Sequence, residues 1–228
     1  MNINSLKNKE RIMMVNVLAV GAHPDDIELG CSGTLLRHKK EGGKVYLLIL
    51  TKGEASGNKE VREKECIKSA NLMGADEIIF GNIEDTKIND DINTIMIIER
   101  VINQVDPDLI YTHSYKDSHQ DHRNTGYATL SAGRRCNKIL LYESPTTFRD
   151  FSPQLFVDIT EYVEKKMKIL RTFSSQSKKG WWAMGNKAVT AVEGLAAYRG
   201  FQAGVKVAEA FEVGRFVLNK KERILKNL

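Results

Sequence analysis

The 228-residue sequence predicts an α/β fold of three layers, in which helices cover both faces of a mostly parallel sheet. Short apolar runs rich in β-branched residues alternate with longer amphipathic segments, and the connections between them are short. No linker or shift in composition divides the chain. This order favours right-handed βαβ units, whose active site would lie at the carboxyl ends of the strands.

The first elements follow from local patterns. Val15–Val20 is valine-rich with one polar residue, which indicates a strand buried on both faces. A helix is predicted over Ser32–Glu41, and the glycine pair Gly42-Gly43 ends it. The second strand, Val45–Leu50, leads into a glycine-rich polar loop, Thr51–Asn58.

The central elements repeat this alternation. Lys59–Met73 is predicted as a helix capped by Gly74, and Glu77–Phe80 as a third short strand. Isoleucines near helical spacing predict a helix over Asp91–Val105. The fourth strand is predicted over Leu109–Thr112.

The remaining sequence is less regular. A helix is predicted over Arg123–Arg135, strands over Lys138–Tyr142 and Gln154–Asp158, and an amphipathic helix over Ile159–Phe173. Residues after about 178, which include Trp181-Trp182, are expected to form a helical cap or an oligomer contact.

Composition excludes several classes of protein. The formal net charge of +5 is mild and lies largely at the chain ends, and no nucleic-acid-binding motif accompanies it, so no nucleic-acid partner is expected. Three scattered cysteines indicate reduced thiols, and no apolar run is long enough to span a bilayer. The sequence therefore predicts a cytoplasmic protein, with a flexible leader over residues 1–13 and a single domain over residues 14–228.

The first motif that carries chemistry follows the first strand. Its sequence is His23-Pro24-Asp25-Asp26. Pro24 lacks an N–H and disfavours the helical region for His23, so a strand cannot easily continue through it. The motif should form a tight turn in which His23 and one aspartate face the same ion.

The second motif follows the fourth strand, where three histidines lie within ten residues, in a loop that also holds two aspartates: His113, Asp117, His119, Asp121 and His122. Four of the five histidines thus lie at two predicted strand ends, while His38 is expected to be a solvated residue on a lysine-rich helix face. Such clustering favours a functional site.

These residue types point to a mononuclear metal held by two histidines and one carboxylate, with an open position for water. Zinc and iron(II) both suit this set. Either Asp25 or Asp26 would be the ligand, leaving the other to act as a base toward the water, since spacing alone does not decide between them. The remaining loop histidine would stabilise an oxyanion or protonate the leaving group.

Together, the segments Ala22–Asp26, with Gly30 and Gly33, and Ser118–His122 resemble the LmbE/PIG-L family of zinc-dependent N-acetylsugar deacetylases. The similarity extends over most of residues 15–218. The resemblance implies a Rossmann-like fold and hydrolysis of the acetamide of an amino sugar.

The resemblance also implies individual roles. The zinc ligands would be His23, Asp26 and His122. Asp25 would be the general base, His119 an electrophile or acid, and Asp121 the residue that orients His119.

Two further residues are candidate substrate contacts, of which the resemblance implies the first, whereas the second stands where several relatives carry other residues. Arg62 would hold a sugar hydroxyl or a phosphate, although one more charge on a helix face is an equal alternative. Lys52 would meet an anionic aglycone, unless it is an exposed lysine at a strand end. Gln120 replaces a proline that is frequent in the family's second motif, which alters the expected rigidity of that loop.

The predicted activity is therefore the removal of acetate from an N-acetyl amino sugar of the GlcNAc type, free or linked to a nucleotide or aglycone. A mononuclear iron(II) oxygenase and a non-enzymatic sugar-binding module are the alternatives. The resemblance also implies a homo-oligomer, a trimer or a hexamer.

Overall fold

The computed structural model describes residues 15–177 and 187–218. The strands in this part of the chain are β1 Asn16–Gly21, β2 Lys44–Thr51, β3 Glu77–Ile83, β4 Leu109–His113, β5 Lys138–Tyr142, β6 Leu155–Asp158 and β7 Ala208–Phe216. The helices are α1 Asp26–Lys40, α2 Lys59–Met73, α3 Ile92–Val105, α4 Gln120–Ala132, α5 Val163–Leu170, α6 Ser174–Ser177 and α7 Lys187–Ala203.

The strands form one sheet in the order β3-β2-β1-β4-β5-β7-β6. The first five in this order are parallel, and β7 runs antiparallel to both β5 and β6. Strand order reverses between β1 and β4, and such a switch point opens a crevice at the carboxyl ends of the strands. The predicted three-layer, mostly parallel α/β fold is confirmed.

The core has one layer on each face of the sheet. Val17 and Ala19 of β1 pack toward α1 and α2, whereas Leu18 and Val20 pack toward α3 and α4. Both faces of β1 are therefore buried, as its continuous apolar run predicts.

Local signals fix several elements. The Asn58 side chain accepts the Val61 N–H at 2.9 Å at the start of α2, and Gly74 ends that helix with φ +81°. Asp91 caps α3 in the same way, accepting the N–H groups of Asn93 and Thr94.

The structure corrects other predictions. Helix α1 begins at Asp26 instead of Ser32, and α4 begins at Gln120 instead of Arg123, so both motifs extend into the first turn of a helix. Residues 208–216 form a strand instead of part of a helical cap, because β5 and β6 both offer backbone partners to them.

Two other predictions have different outcomes. His38 is only partly exposed, and its ring nitrogen lies 2.9 Å from the Tyr111 hydroxyl, so it is not a fully solvated residue. The predicted leader and Trp181-Trp182 lie outside the described residues. Within the described ranges, no helix is both long and apolar enough to cross a membrane.

Candidate metal centre

The turn after β1 brings His23 and Asp26 together. Asp26 Oδ2 accepts the backbone N–H of His23 at 2.7 Å, which closes the turn around Pro24. Asp25 takes φ +104°, a rare backbone conformation for a residue with a side chain. Its carboxylate and that of Asp26 are both buried.

The loop after β4 is fixed by its own side chains. Asp117 Oδ1 accepts the His119 N–H at 2.8 Å, and His119 Nδ1 accepts the Asp121 N–H at 3.2 Å as the N-cap of α4. His122 therefore lies in the first turn of α4.

The two motifs converge on one carboxylate. His23 Nδ1 lies 3.3 Å from Asp26 Oδ2, and His122 Nε2 lies 3.3 Å from Asp26 Oδ1. One donor atom from each of these residues lies within 4.8 Å of the others, and all three side chains are buried. The structure thus brings together the three residues predicted as ligands, in a set that suits zinc or iron(II).

The electrostatics of this group fit a cation. Burial raises the pKa of Asp26, but the rings of His122 and His113 outweigh burial and hold it well below its usual range. Burial lowers the pKa of His122, yet Asp26 and Asp117 bring it up to about 9. Burial also opposes protonation of His23, and hydrogen bonds to Asp121, Asp26 and Asp85 outweigh it and raise its pKa. The same acidic neighbours that favour protons on these ring nitrogens would favour a dication bound to them.

Asp25 lies beside this group with a different environment. Burial raises the pKa of Asp25 to about 7, against the opposing charge of Arg62. Arg62 Nη2 lies 3.7 Å from Asp25 Oδ1. A carboxyl group with a pKa near neutrality is suited to accept and return a proton.

Arg62 is a buried residue instead of a charge on a solvated helix face. Its guanidinium donates to the carbonyl oxygens of Gly53 and Pro24, at 2.7 and 2.8 Å, and to Ser56 Oγ at 2.5 Å. It therefore joins the loop after β2 to the turn that holds Asp25.

The other predicted site residues have mixed surroundings. His119 is partly exposed, and its ring stacks on that of His122 with 4.5 Å between centroids. The Asp121 carboxylate faces His23 Nε2 at 3.1 Å, while its backbone N–H makes the contact with His119. Lys52 is partly exposed, and its Nζ pairs with Glu63 at 2.8 Å.

Three further residues contact the centre, and the sequence motifs assign no individual role to any of them. His113 Nε2 lies 3.0 Å from Asp26 Oδ2, and burial lowers the pKa of this ring to about 4. Asp117 Oδ2 lies 3.2 Å from His122 Nδ1. Asp85 Oδ1 lies 3.0 Å from His23 Nε2. The only sequence signal for Asp85 is its position shortly after a predicted strand.

Comparison with known proteins gives consistent results. Residues 18–133 match the family model PIG-L, described as GlcNAc-PI de-N-acetylase. The chain is 34% identical over 167 residues to the uncharacterized deacetylase YaiS of Escherichia coli, an alignment that covers 70% of this chain and 90% of YaiS. It is 27% identical over 234 residues to diacetylchitobiose deacetylase of Thermococcus kodakarensis, covering 88% and 82% of the two chains.

Among solved structures, the conserved protein TT1542 of Thermus thermophilus superimposes with a TM-score of 0.81 at 27% identity, covering 92% of this chain and all of that one. The fold is therefore the Rossmann-like fold of the LmbE family, and the enzyme prediction is confirmed over the non-enzymatic alternative. With a family match that begins in β1 and runs past both motifs, this chain belongs to the PIG-L family of deacetylases.

Proposed function

We propose that this chain is a metal-dependent hydrolase that removes the acetyl group from an N-acetylated amino sugar of the GlcNAc type. The proposal is carried by one observation: the side chains of His23, Asp26 and His122 are buried and lie close enough to hold one ion. Asp25 is buried next to them and does not belong to this ligand set. A relative named for diacetylchitobiose supports the choice of an N-acetyl sugar.

We propose that His23, Asp26 and His122 hold zinc, or iron(II) in the cell. When bound, the ion would polarise the amide carbonyl and lower the pKa of a water molecule. Asp26 is suited to bind it because its carboxylate stays ionised among the histidine rings.

Side chains of the protein then accept and donate the protons of the reaction. Asp25 takes a proton from the attacking water as its oxygen bonds to the acyl carbon. The carbon–nitrogen bond breaks, the amine leaves with a proton from Asp25 or His119, and acetate remains. His119 is placed for this role because it is the partly exposed histidine of the group and stacks on His122.

The substrate contacts are proposals of the same kind. Arg62 would bind a sugar hydroxyl or phosphate and also shape the loop around Gly53, to which it is already bonded. Lys52 would exchange its pairing with Glu63 for an anionic group on the aglycone. Asp121 would tune His119 through the backbone contact at the start of α4.

The test is acetate release from a panel of N-acetylglucosamine derivatives and diacetylchitobiose, with and without a chelator. Asp25→Asn should lower the rate by about 10²- to 10⁴-fold while the metal content stays unchanged. Asp90→Asn is the matched control, because Asp90 is exposed and the charge change is the same.

A metal-loaded protein that releases no acetate from any member of the panel would contradict the proposal. Oxygen consumption by the iron-loaded protein would instead favour the oxygenase alternative.

We also propose a single domain over residues 14–228, a cytoplasmic location and assembly into a trimer or hexamer. Light scattering coupled to gel filtration measures the last of these directly, and a monomeric mass would contradict it.

A further inference from the structure

Asp85 lies in the loop after β3, and both of its carboxylate oxygens are engaged. Oδ1 lies 3.0 Å from His23 Nε2, and Oδ2 accepts the Ala55 N–H at 2.9 Å. The Asp85 N–H in turn donates to Glu54 Oε1 at 2.9 Å. This buried carboxylate therefore connects the loop after β2 with a residue of the candidate metal centre.

The residue that follows Asp85 has an unusual backbone conformation. Thr86 has φ +70°, a left-handed conformation that is uncommon for a β-branched residue. Its N–H donates to Asp121 Oδ2 at 3.0 Å. Outliers of this kind persist where the surrounding structure fixes them, often at functional sites.

The two nitrogens of His23 face different partners. Nδ1 faces Asp26, the proposed co-ligand, while Nε2 faces the carboxylates of Asp85 and Asp121, at 3.0 and 3.1 Å. An ionised carboxylate only accepts hydrogen bonds, so Nε2 must carry the hydrogen in this arrangement. Nδ1 lies 3.3 Å from Asp26 Oδ2 and would give up any proton of its own to a bound metal, which leaves its lone pair on the side of Asp26 and His122.

We propose that Asp85 is a positioning residue that holds His23 in the Nε2–H tautomer, with Nδ1 directed at the metal. The proposal rests on the metal site of the proposed function and is independent of the reaction and of the substrate. Asp117 stands in the same relation to His122, with its carboxylate 3.2 Å from Nδ1 while Nε2 faces Asp26. Carboxylates in this position orient ligand histidines and raise their basicity.

Asp85 contributes something that Asp121 does not. Asp121 belongs to the same helix as His122, whereas Asp85 comes from a different loop and is tied to Ala55. Zinc affinity should therefore depend on the loop Glu54–Ser56 through Asp85, although that loop provides no ligand.

The experiment measures zinc affinity by competition with a chromogenic chelator, using the full chain without substrate. Asp85→Asn keeps the size of the side chain and removes its charge, and we expect the affinity to fall by about 10- to 100-fold. Glu84→Gln is the matched control, because Glu84 is adjacent, exposed and loses the same charge, and its affinity should equal that of the wild type.

Nitrogen-15 NMR of the histidine rings in the zinc-loaded wild type gives a second readout that needs no variant. A proton on Nε2 of His23 supports the proposal, and a proton on Nδ1 overturns it. Unchanged zinc affinity in a folded Asp85→Asn protein also overturns it.

The results separate this inference from the proposed function. An affinity loss in Asp85→Asn, with no acetate release by the wild type, leaves the inference standing and contradicts the function. Acetate release by the wild type, with no change in zinc affinity in Asp85→Asn, supports the function and overturns the inference. A wild type that binds neither zinc nor iron(II) contradicts both.

Discussion

Replacement of Lys166 by methionine is expected to destabilise the protein strongly. Lys166 of α5 is 1% exposed, and its Nζ lies 2.5 Å from Glu209 Oε1 and 2.7 Å from the Leu29 carbonyl oxygen. Glu209 of β7 also accepts the N–H groups of Gly33 and Thr34. The ion pair therefore bonds to the Leu29 carbonyl and the Gly33 N–H, which would pair with each other in a regular α-helix.

The magnitude follows from what the substitution leaves behind. Methionine fills much of the space of the lysine stem, so little cavity is created, but the Glu209 carboxylate loses its countercharge in a buried site. Removing one partner of a buried ion pair typically costs about 3–5 kcal/mol. The whole free energy of unfolding of a native protein is only about 5–15 kcal/mol, so the effect should be large.

The assay is urea unfolding followed by circular dichroism. Lys165→Met is the matched control, because Lys165 is the exposed neighbour on the same helix and should change stability by less than about 0.5 kcal/mol. Adding Glu209→Gln to Lys166→Met should restore part of the loss, since the uncompensated charge is then gone.

A loss below about 1 kcal/mol for Lys166→Met would refute this reasoning. It would mean that water reaches the pair and replaces the ammonium, as at an exposed salt bridge.

Three other predictions concern helix packing, cysteine reactivity and the candidate metal ligand His122. Gly30→Ala should lower the free energy of unfolding, measured in urea, by about 1–3 kcal/mol, because a Cβ there would overlap the buried ring of Tyr142. A Cβ at Gly194 would meet open space, so Gly194→Ala should raise the free energy of unfolding by up to about 1 kcal/mol through its better helix propensity in α7. Cys136 is the half-buried cysteine, and burial raises the pKa of the other two thiols further, so a thiol reagent should modify Cys136 first in the native protein. His122→Ala should lose its bound zinc during dialysis while the chain stays folded. If the variant keeps as much zinc as the wild type, His122 is not a ligand.

Local chemistry explains which elements could be predicted. The bounds of α2 match the prediction, because its asparagine cap and its terminal glycine are sequence neighbours of the helix. The two motifs were recognisable because histidines and aspartates follow apolar runs at predicted strand ends. The sequence pattern places the starts of α1 and α4 too late, at Ser32 and Arg123, because residues that form the preceding turns also form the first turn of each helix, which begins at Asp26 and at Gln120.

Long-range contacts explain what could not be predicted. Strand β7 pairs with β5 and β6, which lie far from it in sequence, and its small residues give no clear alternation. The position of Asp85 against His23 depends on a loop that reaches past β2 from the edge strand β3. Likewise, whether the Asp121 carboxylate faces His119 or His23 depends on how two loops meet.

The sequence by itself determined the α/β class, the two motifs and the donor types of a metal site, because residues within a few positions of one another specify turns, caps and apolar runs. Only the tertiary structure decided which carboxylates face which histidine nitrogens, and that Arg62 is buried beside Asp25. Those contacts join residues from separate loops, and the order of strands in the sheet sets the distances between them.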